Sequence, residues 1–176
     1  MKSDSERLAV FSIGSNLGDR LSFLTQAVNE LVNLPLTDVA ISSVYETKPL
    51  DFTDQPDFLN AIVIGNTTAP ALELLRKALR LEAALGRVRN PATDSLVLVK
   101  GPRVIDIDLI AVADERIDSA ELTLPHPRAH QRGFVLLPWL EIADDAQLPG
   151  HGSVATLAAA LPDQGVRRRT DLELVR

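Results

Sequence analysis

The residues of this chain best placed to do chemistry are Asp106 and Asp108, in the run Arg103-Val-Ile-Asp-Ile-Asp-Leu-Ile. In a β-strand, residues two apart project to the same face, so the two carboxylates lie side by side with backbone positions about 6 to 7 Å apart. Val104 and Ile110 share that face, and Ile105, Ile107 and Leu109 cover the other. Paired carboxylates in an apolar strand are costly unless something positive joins them. Magnesium suits the demand, because it takes oxygen ligands, keeps some of its water and is often held by one or two carboxylates plus substrate phosphates. A two-metal arrangement, with ions about 3.5 to 4 Å apart, would organise a phosphoryl transfer. The competing reading is structural, with both aspartates paired to arginines such as Arg103 or Arg87.

Arg87, Arg89 and Arg103 bracket the carboxylates. Phosphate oxygens are matched by planar cations with several donors, which arginine supplies without losing its charge. The chain contains no Walker loop, and Gly14-Ser-Asn-Leu-Gly18 is too short and differently arranged to replace one. His126 sits between Pro125 and Pro127 on a restricted backbone, and serves either as a turn residue or as a phosphate donor. Phe58 and Asn60 share one strand face, pairing a ring that can stack with an amide that can read a heterocycle's polar edge. A core phenylalanine beside a turn-capping asparagine is the plainer alternative.

The elements that must position these groups follow from periodicity. Leu8 to Ile13 is a predicted strand, stopped at Gly14. Asp19 caps a helix carrying Leu21, Leu24, Val28, Leu31 and Val32 at helical spacing. Val39 to Tyr45 is a second strand and Phe58 to Ile64 a third, joined by a proline-stiffened loop from Thr47 to Asp57. Thr68 is expected to cap the next helix, with Pro70 in its first turn and Leu72, Leu75, Leu79 and Leu81 forming most of its apolar face. A last strand spans Val104 to Ala113. The order βαββαβ predicts an α+β, ferredoxin-like core: a mostly antiparallel sheet with helices packed on it. Beyond it come a turn at Leu124 to Arg128, an apolar stretch from Phe134 to Ile142 and a short helix from Val154 to Leu161 started by Ser153. Arg167 to Arg169 is expected to be exposed decoration.

The 176 residues fit a single domain, with a core of about residues 8 to 161, and a chain of this length buries roughly two thirds of its unfolded surface. With 18 Lys plus Arg against 24 Asp plus Glu, the net charge of -6 argues against a nucleic-acid binder. Six arginines and Lys100 nevertheless fall between Arg87 and Arg132, a local cationic site suited to a small anion. The absence of cysteine excludes disulfides and thiolate chemistry and is compatible with a cytoplasmic location. No secretory signal or membrane span is legible.

Taken in order, several motifs resemble the 6-hydroxymethyl-7,8-dihydropterin pyrophosphokinase family. These are Gly14-Ser-Asn-Leu-Gly, Ser43-Val-Tyr-Glu-Thr, Asp54-Gln-Pro-Asp-Phe-Leu-Asn60, Glu82 before Gly86-Arg-Val-Arg89, Gly101-Pro-Arg-Val-Ile-Asp-Ile-Asp108, and Leu122-Thr-Leu-Pro-His126 before Arg132-Gly-Phe134. The resemblance implies transfer of pyrophosphate from ATP to the hydroxymethyl oxygen of the pterin, by a monomer that takes only small-molecule substrates. It implies that Asp106 and Asp108 hold two Mg2+ ions and that Arg87 and Arg103 lie along the triphosphate. Glu82, Arg89, Thr123, His126 and Arg132 match positions associated with ATP. Thr47, Pro49, Leu50, Phe58, Asn60 and Phe134 match the pterin pocket, with Phe58 and Phe134 sandwiching the ring and Asn60 reading its edge.

Two departures from the family pattern stand out. Lys100 occupies a position where many members have an aromatic residue, and Pro127 follows the histidine where some carry one. The loop from Asn90 to Lys100 is longer than in compact relatives and is expected to close over bound substrates. A binding module without catalysis, or a different divalent-metal phosphotransferase, are the alternatives; release of ADP in place of AMP would mark the second.

Overall fold

The computed structural model describes residues 5–49, 54–88 and 101–175. The first strand, β1 (Arg7–Ser15), is buried continuously from Ala9 to Ser15, because both faces of the sheet are covered. Helix α1 (Arg20–Leu31) follows, and the Asp19 carboxylate accepts from Ser22 N as expected of its cap. The predicted second strand is divided into β2 (Thr37–Ile41) and β3 (Tyr45–Thr47). The reason lies at Ser42, whose hydroxyl accepts from Ile62 N in place of a backbone carbonyl and breaks the regular ladder.

Strand β4 (Phe58–Thr67) leads to helix α2 (Ala71–Ala84). Thr68 does not cap this helix. Pro70 is the capping residue, with extended backbone and no side-chain bond, while the preceding Thr67 hydroxyl accepts from Ala69 N and donates to Pro35 O. The buried stripe of α2 is Ala71, Leu74, Ala78 and Glu82, not the predicted row of leucines, and Leu79 is 36% exposed. Alanines at the contact let the helix approach the sheet closely, and Leu72, Leu75 and Leu81 pack around its margins.

Strand β5 (Asp106–Val112) begins two residues later than predicted. Arg103 exchanges its backbone N–H and C=O with the side chain and backbone of Asn16, so the chain at Val104 has not yet joined the ladder. Then come β6 (Ile117–Asp118), β7 (Thr123–Leu124), a 3-10 turn at Ala129–Gln131 and helix α3 (Gly133–Ile142), which contains the apolar run Phe134 to Ile142. The hairpin β8 (Gln147–Leu148) and β9 (Gly152–Ser153) precedes α4 (Val154–Ala160), started by Ser153 as predicted. Arg167 and Arg168 form β10. The pair is exposed, as expected, but ordered as an edge strand: β10 pairs antiparallel with β3, and Arg168 and Arg169 bond to Glu141 and Glu46.

The main sheet runs β10-β3-β4-β1-β5, with β2 also on β4, and its neighbours are all antiparallel. This is the ferredoxin-like α+β order. One face packs Phe11, Ile13, Ala61, Val63, Ile107 and Leu109 against α1 and α2. The other packs Val10, Ile62, Ile64 and Ile110 against α3 and α4. Among the described residues no helix is long and apolar enough to cross a membrane.

Candidate active site

Three adjacent strands bring the predicted groups to the α3 face of the sheet. On β4 stand Phe58 and Asn60, on β5 Asp106 and Asp108, and on β1 between them Ser12 and Gly14, with Gly14 opposite both Asn60 and Asp106 and Ser12 opposite Asp108. A Cβ at Gly14 would fall 2.9 Å from Asn60 Oδ1. Glycine therefore leaves the middle of the site open and lets the Asn60 amide lie across it. That amide donates to Thr47 Oγ1 at 2.9 Å, and both side chains are buried.

The carboxylates have different surroundings. Asp106 is paired with Arg87 through one oxygen and with Arg103 Nη1 at 3.2 Å through the other. Burial pushes its pKa upward, but Arg103 and Arg87 outweigh that and hold Asp106 below the usual carboxylate range. Arg87 is itself buried, which opposes its charge, yet Asp106 and Glu82 raise its pKa. Glu82, 1% exposed, bonds Arg87 and also accepts from Ile107 N at 2.7 Å, the amide between the two aspartates. Arg103 is fixed from the other side: Asn16 Oδ1 accepts from its N–H at 2.8 Å, and its guanidinium lies 5.5 Å from the centre of the Phe58 ring.

Asp108 is less well compensated. Burial and the neighbouring Asp106 charge push its pKa up to about 7, against the smaller pull of Arg132 and Arg103. Arg132 Nη1 approaches Asp108 Oδ2 at 3.4 Å, and its guanidinium sits 5.5 Å from the centre of Phe134. His126 is kept neutral, its pKa lowered to about 4 by burial and then by Arg132. Its Nδ1 accepts from Arg128 N, so the proton belongs on Nε2, which faces Asp108 Oδ2 at 3.9 Å. Neutral His126 is thus set up as a donor to an incoming oxygen.

The structure brings together Glu82, Arg87, Arg103, Asp106, Asp108, His126, Arg132 and Phe134, and beside them Thr47, Phe58 and Asn60. Pro49 is buried just past the end of β3. Thr123 is exposed on β7, and among the described residues no hydrogen bond ties it to the carboxylates. Leu50, Arg89, Asn90 and Lys100 lie outside the described residues. Asn16 is a further site residue, visible in the sequence only as part of the Gly14-Ser-Asn-Leu-Gly run. It is 1% exposed and its amide also donates to Gln55 and Pro56 O, joining the loop before β4 to Arg103.

Among the described residues no three His, Asp or Glu side chains converge so as to hold a metal unaided. The hard oxygen donors of Asp106 and Asp108 nevertheless fit Mg2+, which would take its remaining ligands from water and phosphate, and the only partly compensated charge at Asp108 is one that a cation would relieve.

Carboxylates ringed by guanidinium groups, next to aromatic rings and a fixed amide, define an enzyme that handles a phosphate-bearing substrate beside a flat one. A family model described as 7,8-dihydro-6-hydroxymethylpterin-pyrophosphokinase matches residues 10–144, and the chain belongs to that family. It is 40% identical over 161 residues to the 2-amino-4-hydroxy-6-hydroxymethyldihydropteridine pyrophosphokinase of Methylorubrum extorquens, covering 91% of this chain and 97% of that protein. The protein of the same name from Bacillus subtilis is 38% identical over 141 residues, 80% of each chain. A folic acid synthesis protein of Pneumocystis carinii is 36% identical over 93% of this chain, which spans only 21% of that larger protein. A solved HPPK-DHPS structure from Plasmodium falciparum shares the fold, with a TM-score of 0.66 at 14% identity, over 90% of this chain and 44% of that one.

Proposed function

We infer that this protein transfers the pyrophosphoryl group of ATP to 6-hydroxymethyl-7,8-dihydropterin in folate biosynthesis, giving AMP and the pterin diphosphate. The observation that carries the reading is the pairing of Asp106 and Asp108 inside a ring of Arg87, Arg103 and Arg132, directly beside Phe58, Asn60 and Phe134. In the reaction the hydroxymethyl oxygen forms a bond to the β-phosphorus, the bond from that phosphorus to the α,β-bridging oxygen breaks, AMP departs, and the hydroxyl proton is lost to solvent. Such a transfer depends on alignment and charge stabilisation more than on a covalent nucleophile.

Asp106 and Asp108 would hold two Mg2+ ions, which when bound supply positive charge to the triphosphate. Arg87 and Arg103 lie along the triphosphate, Arg132 adds charge from the Asp108 side, and neutral His126 donates its Nε2–H to a phosphate oxygen. Arg89 and Thr123 complete the ATP contacts. Glu82 contributes from beneath, through Arg87 and the Ile107 amide. The pterin lies among Thr47, Pro49, Leu50, Phe58, Asn60 and Phe134. One face of Phe58 and one of Phe134 already carries a guanidinium, so each arginine adjoins the ring site as well as the phosphate site. The enzyme acts as a cytoplasmic monomer.

Incubation with ATP, Mg2+ and hydroxymethyl-dihydropterin, followed by mass detection, tests the reading. AMP and a diphosphorylated pterin in equal amounts are expected; ADP as the nucleotide product would replace this reading with simple phosphoryl transfer.

A further inference from the structure

The segment after α4 lies beyond the stretch matched by the family model, which ends at residue 144, yet it touches the shell of the site. Gln164 Nε2 donates to Gln131 O at 2.9 Å and Gln164 Oε1 accepts from Gly133 N at 2.8 Å. One amide side chain thereby bonds the residues on both sides of Arg132. The first N–H groups of a helix have no partner within it, and at α3 the capping residue, Arg132, makes no side-chain cap bond, because a guanidinium carries donors only; it is turned instead to Asp108 and Phe134. Gln164 satisfies the Gly133 N–H from 31 residues away. Glycine eases the approach: a Cβ at Gly133 would come within 3.1 Å of both Gln164 Oε1 and Val166 Cγ2, so those side chains would have to shift to admit one.

Gln164 is in turn held at both ends. Asp163 accepts from Gly165 N at 2.8 Å, closing a turn beside it. Two residues on, β10 pairs with β3, Arg169 N donates to Val44 O, and Arg168 reaches Glu141 on α3. The strap thus joins the strand that carries Thr47 to the helix that begins next to Arg132.

We propose that Gln164 is a positioning residue for Arg132, clamping the backbone on either side so that the guanidinium meets the phosphate chain of ATP. The proposal rests on the reading of Arg132 as an ATP contact. Both bonds are neutral, the one to Gly133 part-buried and the one to Gln131 exposed, so their loss is expected to raise the KM for ATP about three- to tenfold, with smaller changes in kcat and in the KM for the pterin. A merely structural role for Gln164 would lower stability and leave KM alone.

The experiment compares Q164A, R132A and the double variant in the full chain, measuring KM for ATP, KM for the pterin, kcat and Tm. S153A, which removes the side-chain cap of α4 and no bond to a site residue, serves as a variant that loses stability only. The expected result is a rise in the KM for ATP in Q164A, a larger one in R132A, and no further rise when Q164A is added to R132A, since the clamp acts through that side chain. Q164E keeps the acceptor for Gly133 N–H and loses the donor to Gln131, so it carries the test if Q164A does not fold, and it too should raise the KM for ATP. An unchanged KM in Q164A and Q164E, or effects of Q164A and R132A that simply add, would overturn the clamp. An unchanged KM in R132A would instead overturn the reading of Arg132, and the clamp with it.

Discussion

Replacing Asp108 by asparagine should make the ligand-free protein more stable while removing its activity. The pKa of this carboxyl rises from 3.8 to about 7 on folding, through burial and the Asp106 charge. Between those two values the folded protein keeps a proton that the unfolded chain has released, so stability falls as pH rises through this window and is level above it. Fully expressed, the shift would cost about 4 kcal/mol above pH 7. The Asp108 side chain is 33% exposed, and solvent screening brings the figure down to about 1 to 2 kcal/mol. An asparagine side chain at this position cannot ionise and escapes the cost. In the absence of Mg2+ and nucleotide, calorimetry at pH 8 should show D108N melting about 2 to 8 °C above the wild type, and the gain should shrink to under half of that near pH 5. Added Mg2+ and ATP should reverse the order, because only the wild type gains from the bound ions. A D108N protein no more stable than wild type at pH 8, or equally stabilised at both pH values, would refute the claim that Asp108 is held at an electrostatic cost.

Other expectations follow from single contacts. G14A places a methyl 2.9 Å from Asn60 Oδ1 and should raise the KM for the pterin about tenfold or more, with an overpacking cost of about 1 to 3 kcal/mol in denaturant unfolding. N16A removes three bonds, to Gln55, Pro56 and Arg103; it should lose about 2 to 4 kcal/mol of stability and lower kcat, since Arg103 keeps only one of its two backbone bonds to residue 16. NMR titration of the ligand-free protein should find the His126 ring neutral with the proton on Nε2 from pH 8 down to about pH 5, given its pKa of about 4; a midpoint near 6.5 would contradict its assigned role.

The carboxylate pair was legible in the chain because strand parity is local. Asp106 and Asp108 share a face whatever the rest of the molecule does, and the register shift opposite Val10 and Phe11 comes only after them, at Ile110. The Asp19 and Ser153 caps were legible for the same reason. What escaped depends on partners far along the chain. The buried stripe of α2 is chosen by closeness to the sheet, which favours Ala71 and Ala78 over larger neighbours. The break at Ser42 depends on Ile62, and the order of the tail depends on Glu46, whose carboxylate meets Arg169 from 123 residues away. Arg87 and Arg103 were expected near phosphate and also near the aspartates as a structural alternative. Both pair with Asp106, so a substrate's charge must compete with that pairing, a feature no spacing rule could supply.

The central claim is that the β-phosphorus of ATP is the atom attacked, at a site built on Asp106 and Asp108. Three reactions with Mg2+ and hydroxymethyl-dihydropterin, using ATP labelled in turn at the α-, β- and γ-phosphorus, test it most directly. The α label should be recovered in AMP and both the β and γ labels in the pterin product, with all transfer lost in D106N and D108N. Transfer of the γ label alone, or undiminished transfer by both variants, would contradict the account.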